Sequence, residues 1–280
     1  MPPHPIAIVT DSTCDLPPHL LAAHDIYVIP QKIVWNGVIY RDGVELSSSD
    51  FYQFLASARD LPETLPPSPA EFARYFEEAH AGADVVIALL LSSKLSQSFI
   101  HAQQAAHELD FPVFVLDTQM ISLGLGFAVL AAADARSQGA PVEQILNVAR
   151  QARRQTHVYF TVNTLDFLYR GGRIGGARHL IGKALSINPI LTVSGGQVEP
   201  VENVRTRQRA VQRMVELAAN GTNGPVRVGV THGDAAEEAH ALLDYIAHAW
   251  KPQQLIASIT CPAIGAHTGP GVLSITVTPL

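Results

Sequence analysis

Only two cysteines, Cys14 and Cys261, occur in the 280 residues, too far apart in sequence for a metal-binding or redox spacing. Two thiols without a framework suit a reducing cytoplasm and exclude a disulfide scaffold. Charge is scarce, at 16% of residues, while hydrophobic residues reach 47%, a balance that excludes a disordered chain. Apolar runs are short: the one at residues 85–91 falls far below the roughly 20 residues a bilayer requires. The opening MPPHPIAIVTDS has no basic stretch followed by an apolar core and a small-residue cleavage site, so no export signal is visible. The expectation is a soluble cytoplasmic protein with no transmembrane segment.

Lysine is also rare. Four lysines accompany fifteen arginines, and ten of the arginines fall between Arg150 and Arg213. With Lys183, and against Asp166, Glu199 and Glu202, that stretch carries a net charge of +8 within a chain of net charge −6, leaving −14 for the remainder. Folding can disperse such charges over a solvated surface. Alternatively, guanidinium groups gather to meet an acidic protein or a phosphate-bearing ligand. Nucleic acid is not expected of a chain whose net charge is −6.

The first half alternates strand and helix signals. Residues 6–9, 85–91 and 113–116 are short continuous apolar runs, as expected of strands covered on both faces. Ser47 with Asp50 forms a helix-start signature, followed by Phe51, Phe54, Leu55 and Ala58 on one face. Ser68 with Glu71 repeats it, with Pro69 at the first helical position and Phe72, Tyr75, Phe76 and Ala79 following. This alternation predicts a mostly parallel sheet with helices on both faces, whose ligand sites lie beyond the carboxyl ends of its strands. In the second half, Leu273, Ile275 and Val277 alternate with Ser274, Thr276 and Thr278, and Val226, Val228 and Val230 alternate similarly. That pattern describes strands with one wet face, hence an open mixed or antiparallel sheet with helices on one side. The expected domains are 1–155 and 156–280, closely packed with a cleft between them.

Polar clusters follow three of the strands. Thr10, Asp11 and Ser12 close the first and serve either a site or a helix cap. Ser92, Ser93, Ser96 and Ser98 follow the second, where hydroxyls and free N–H groups make a cradle for a carboxylate, or again a cap. Asp117 and Thr118 follow the third, with Gly124 and Gly126 soon after. A dinucleotide reading fails there because Val129 stands where a third glycine belongs. Residues 176–183 resemble a phosphate-binding loop only faintly, with Ala177 and Ala184 at key positions. The twelve histidines show no metal spacing, and no nucleophile-elbow motif is present. His267 stands out because it opens H-T-G-P-G, whose glycines and proline fix an unusual turn and can hold the imidazole in a defined place.

Taken together, these segments resemble the DegV family. The resemblance rests on I-V-T-D-S-T-C-D-L-P at 8–17, S-S-K-L-S at 92–96, D-T-Q-M-I-S-L-G-L-G at 117–126, L-D-F-L-Y-R-G-G-R-I at 165–174, V-R-T-R-Q-R-A at 204–210 and G-A-H-T-G-P-G at 265–271, all in family order. It implies a two-domain DegV-like α/β fold and a role as a carrier of a long-chain fatty acid, without cofactor or chemistry of its own. It further implies a separate kinase, related to dihydroxyacetone kinases, that phosphorylates the carboxyl group. The carboxylate-holding roles fall on Thr64, Ser93 and His267, with Ser92, Ser96 and Thr268 nearby. Arg173 and Arg205 resemble positions used for the kinase.

The chain departs from the family pattern at Leu65 and Pro66, where two polar residues are usual, and at Gln97 and Phe99, which replace a glycine and a tyrosine. Burying a sixteen-carbon tail offers on the order of 12 kcal/mol before entropic costs, so one anchored polar end suffices for orientation. Two rivals stand beside the carrier. One is an acyl hydrolase with Ser93 as nucleophile, His267 as base and Asp11 as orienter. The other is a docking or regulatory subunit that binds no lipid.

Overall fold

In the computed structural model, residues 5–58, 60–180, 188–220 and 224–280 are described. Lys183 and Ala184 of the faint phosphate-loop pattern lie outside them. The chain opens with β1 (Ile6–Asp11), α1 (Pro18–Ala23), β2 (Ile26–Ile29), β3 (Lys32–Trp35), β4 (Val38–Arg41) and α2 (Ser48–Leu55). Next come β5 (Glu63–Leu65), α3 (Pro69–His80), β6 (Val85–Leu90), α4 (Ser98–Glu108), β7 (Val113–Asp117), α5 (Leu123–Ser137) and α6 (Val142–Gln155). The second half runs β8 (His157–Thr161), α7 (Asp166–Arg170), β9 (Asn188–Ser194), β10 (Gln197–Val204) and α8 (Arg207–Ala219). It ends with β11 (Val226–Gly233), α9 (Ala236–Ala249), β12 (Gln254–Ile259), α10 (Pro262–Thr268) and β13 (Val272–Pro279).

The first sheet, in the order β2-β1-β6-β7, is parallel throughout. One of its faces carries Val9, Val86, Ala88 and Leu90, packed on Phe72 and Phe76 of α3 and Ala102 and Ala105 of α4. Each of those phenylalanines is fully buried, a contribution of about 1.5–3 kcal/mol apiece. The helix that supplies them starts at Ser68, where the capping box with Glu71 closes in both directions behind Pro69. The helix before it differs from its reading: α2 buries Phe51, Tyr52 and Leu55 while Phe54 is exposed. Its apolar stripe is turned by one position, with Phe51, Tyr52 and Leu55 packed in one cluster with Cys261, Ala263 and Ile264.

The opposite face of the first sheet presents Ile6, Ile8, Ile87 and Leu89 to α5. This helix is buried nearly all round because it lies between the first sheet and the second. A Cβ on Gly126 would lie 2.6 Å from the Cys14 carbonyl oxygen, and one on Gly124 would lie 2.9 Å from the Val158 side chain. The G-x-G pattern therefore serves close packing.

The second sheet, in the order β10-β9-β8-β13-β11-β12, is mixed: β11 and β12 are parallel and the other pairs antiparallel. Its own helices α8 and α9 cover one face through Ala210, Met214, Leu242 and Ile246 against Val228, Val230, Ile275 and Val277. The alternate face was expected to be wet and is not. Ser274, Thr276 and Thr278 are all buried, because α5 and α6 of the first half lie over that face. A three-stranded antiparallel sheet, β4-β3-β5, was not anticipated; its strands span three or four residues, too short for periodicity to mark.

Candidate functional site

Between the two sheets lies a cavity of about 300 Å³, at the lower end of the range for small-molecule sites. Val158 and Phe160 of β8, Val193 of β9, Val198 of β10 and Val272 of β13 line it from the second sheet. Leu91, Leu95 and Ile121 close it from the loops after β6 and β7. Leu65, Pro66 and Gln97 lie on its rim, with Leu65 and Gln97 exposed. Three of the four departures from the family pattern thus fall at the mouth of the cavity.

Thr64 Oγ1 and His267 Nε2 share a hydrogen bond of 2.8 Å at the cavity wall, joining the edge strand β5 to the last turn of α10. Burial, reinforced by the Arg173 guanidinium, holds the His267 imidazole down to about 4, so it is neutral at physiological pH. The ring sits where only glycine fits beside it: a Cβ on Gly171 would lie 2.1 Å from Nδ1. The H-T-G-P-G turn is fixed by Gly269 at φ 73° and Gly271 at φ 85°. With Nε2–H as donor, the Thr64 hydroxyl keeps its own proton for an anion in the cavity.

The serine loop divides its members. Ser92 is fully buried and donates to the Gly196 carbonyl at 2.6 Å, tying the loop to the turn between β9 and β10. Ser93 Oγ donates to Asp117 Oδ2 at 2.5 Å. Neither is among the residues lining the cavity, and each hydroxyl is bonded to the partner named. Ser96 does line it; its Oγ lies 2.9 Å from Ser98 Oγ and accepts from the Ser98 amide at 3.2 Å. Thr268 lines it as well, with its hydroxyl donated to Ile264 O at 3.1 Å.

Arg173 was read as a docking residue, yet it lines the cavity next to His267. Nε donates to Leu95 O at 3.0 Å and Nη1 to Gly171 O at 2.6 Å. Arg205 is exposed and apart from the cavity. Much of the basic stretch is neutralised locally, by Arg207 with Glu238, Arg209 with Glu216, and Arg213 with Glu202 and Glu216.

Asp11 accepts from Thr13 N at 3.0 Å, Thr13 Oγ1 at 2.5 Å and Leu91 N at 2.9 Å, so it caps a short 3-10 turn and pins the end of β6. Ser93, His267 and Asp11 each bond elsewhere, and no nucleophile–base pair forms among them. Gln31 escaped the sequence reading. It is buried, lines the cavity and exchanges hydrogen bonds with Ser98 at 3.0 and 3.2 Å; no local pattern marks a lone glutamine. Three carboxyls sit buried nearby, and desolvation pushes Asp15 up to about 7, Asp42 up to about 6 and Asp11 upward. Among the described residues no cluster could hold a metal ion, and no helix is long and apolar enough to cross a membrane.

The family profile described as an uncharacterised protein of the DegV family matches residues 5–280. The chain belongs to the DegV family. A DegV domain-containing protein of Streptomyces coelicolor, SCO2569, is 40% identical to this DegV-family chain over 275 residues, 97% of this chain and 98% of the relative. Among solved structures, the fatty-acid-binding DegV family protein from Thermus thermophilus superposes with a TM-score of 0.91 at 35% identity, over 98% of this chain and 99% of that one. DegV of Bacillus subtilis, described as a fatty acid binding protein, gives 0.90 at 32% identity, over 98% and 99%. The two-sheet α/β architecture is thus the DegV fold.

Proposed function

We propose that the chain binds a long-chain fatty acid, its tail in the cavity and its carboxylate against Thr64, Ser96 and His267. The observation that carries this reading is an apolar cavity with a threonine–histidine pair on its wall, in a chain whose solved relatives are described as fatty acid binding. Electrostatics favour this orientation. Arg173 lies beside His267, whereas Asp15 and Asp42, carboxyls that resist ionisation, lie by Ser122 and Ser12. An anionic head group is attracted to the first place and disfavoured in the second, where burial already penalises the charged form of two carboxyls.

The two halves, 1–155 and 156–280, act in this reading as domains enclosing the ligand. The protein carries the acid in the cytoplasm without cofactor and without chemistry of its own. It hands the acid to a separate kinase of the dihydroxyacetone-kinase-related type, with Arg205 on the docking face and Arg173 between that face and the ligand. Ser92 and Ser93 support the loop that presents Ser96. The test is organic extraction of the purified protein followed by mass spectrometry. Near-stoichiometric fatty acid is expected; an extract still empty after incubation with mixed fatty acids would overturn the reading.

A further inference from the structure

The cavity has a second polar region that a plain hydrocarbon tail does not use. Thr231 and Ser274 are cross-strand neighbours on β11 and β13, and their hydroxyls bond at 2.6 Å. Thr260 lies two residues beyond Ser258, the partner of Thr231 on β12, so it shares their face of the sheet. All three line the cavity and are buried, Thr260 to 2% exposure. The Thr260 hydroxyl has no hydrogen-bond partner among the described residues. Ser122 completes the wall, 3.5 Å from Thr231, with its own proton given to Asp15 at 2.6 Å.

A cross-strand threonine–serine bond is an ordinary sheet contact and implies nothing alone. Thr260 is different: a buried, unpaired hydroxyl facing a hydrocarbon chain is destabilising, and such groups are rare unless something pairs with them. Its position is informative. Thr260 lies two residues before Pro262, the first residue of α10, and His267 sits in the last turn, so most of the length of this short helix, on the order of 10 Å, separates the two polar regions. That spacing suits one ligand with a carboxylate at one end and an oxygen further along its chain.

We propose that Thr260, with the Thr231–Ser274 pair, is a binding site for an oxygen-bearing substituent, so that the preferred ligand is a hydroxylated long-chain acid. Thr260 donates to the ligand oxygen, and the Thr231–Ser274 pair accepts its proton. This rests on the fatty-acid reading above.

The test is competition of stearic acid and a mid-chain hydroxystearic acid against a fluorescent fatty acid, on the purified full chain. The wild type is expected to bind the hydroxy acid about five- to ten-fold more tightly, the equivalent of roughly one good hydrogen bond. Thr260→Val should abolish that preference while leaving stearic acid binding unchanged or stronger. Ser274→Ala, a milder change, should weaken the preference and serves if the valine variant fails to fold. Equal or weaker binding of the hydroxy acid by the wild type would overturn the proposal and leave the fatty-acid reading intact. A preference that survives in both variants would overturn the assignment to this wall. Failure of both acids to compete would instead refute the fatty-acid reading itself.

Discussion

The two sheets use their polar side chains differently. In the first, the groups beyond the strand ends are largely bonded to one another: Asp11 to Thr13 and Leu91, Ser93 to Asp117, Ser12 to Asp42. They fix loops. In the second, polar residues sit within strands and at the ends of α10, on a face buried by α5, and several point into the cavity. The carboxyl ends of parallel strands are where sites form, but most polar groups there build the rim. Of Ser92, Ser93 and Ser96, Ser96 alone lines the cavity, its hydroxyl bonded only to the neighbouring Ser98.

Removing a rim group should therefore cost stability, and removing a facing group should cost affinity. The largest effect is expected at Asp11. Asp11→Ala strands the buried amides of Thr13 and Leu91 and should destabilise the fold by about 3 kcal/mol, read from urea unfolding. A loss below about 0.5 kcal/mol would break the comparison, because it would mean that the loops are held without this carboxylate.

A sharper contrast lies four residues apart. Ser92→Ala removes the bond to Gly196 and should cost about 1–2 kcal/mol of stability with fatty-acid affinity nearly unchanged. Ser96→Ala should lower affinity about five-fold with little change in stability. Parallel melting curves and binding titrations check both. Reversed results would show that the division between rim and facing hydroxyls is misplaced.

The smallest effect concerns the proton on His267. In the ligand-free protein its imidazole should stay neutral down to about pH 5 and titrate near 4, where an unperturbed ring titrates at 6.5. Between those values the unfolded chain takes up a proton the folded ring refuses, so this group destabilises the fold as the pH falls. Asp15 has the opposite sign: raised from 3.8 to about 7, it destabilises the fold as the pH rises through that window. The two partly cancel in a melting curve, so the check is residue-specific NMR of the imidazole. A midpoint near 6.5 would show that the ring is not desolvated as the geometry requires.

Sequence by itself determined the strands β1, β6 and β7, the capping box at Ser68 and the mixed second sheet, and it singled out Thr64 and His267, which the fold brings into hydrogen bond at the cavity wall. Those features are legible because periodicity and capping act over two to four residues, and because the family motifs keep a fixed order. Tertiary structure alone decided which serine of the 92–96 loop faces the cavity, that Arg173 lines it, that Gln31 belongs to it, and that Ser274 and Thr276 are dry. The fate of a hydroxyl depends on partners far along the chain: Asp117 is 24 residues from Ser93, and Gly196 is 104 from Ser92. Alternation marks two faces of a strand, but whether the polar face meets water depends on what packs over it, here α5 from the other half of the chain.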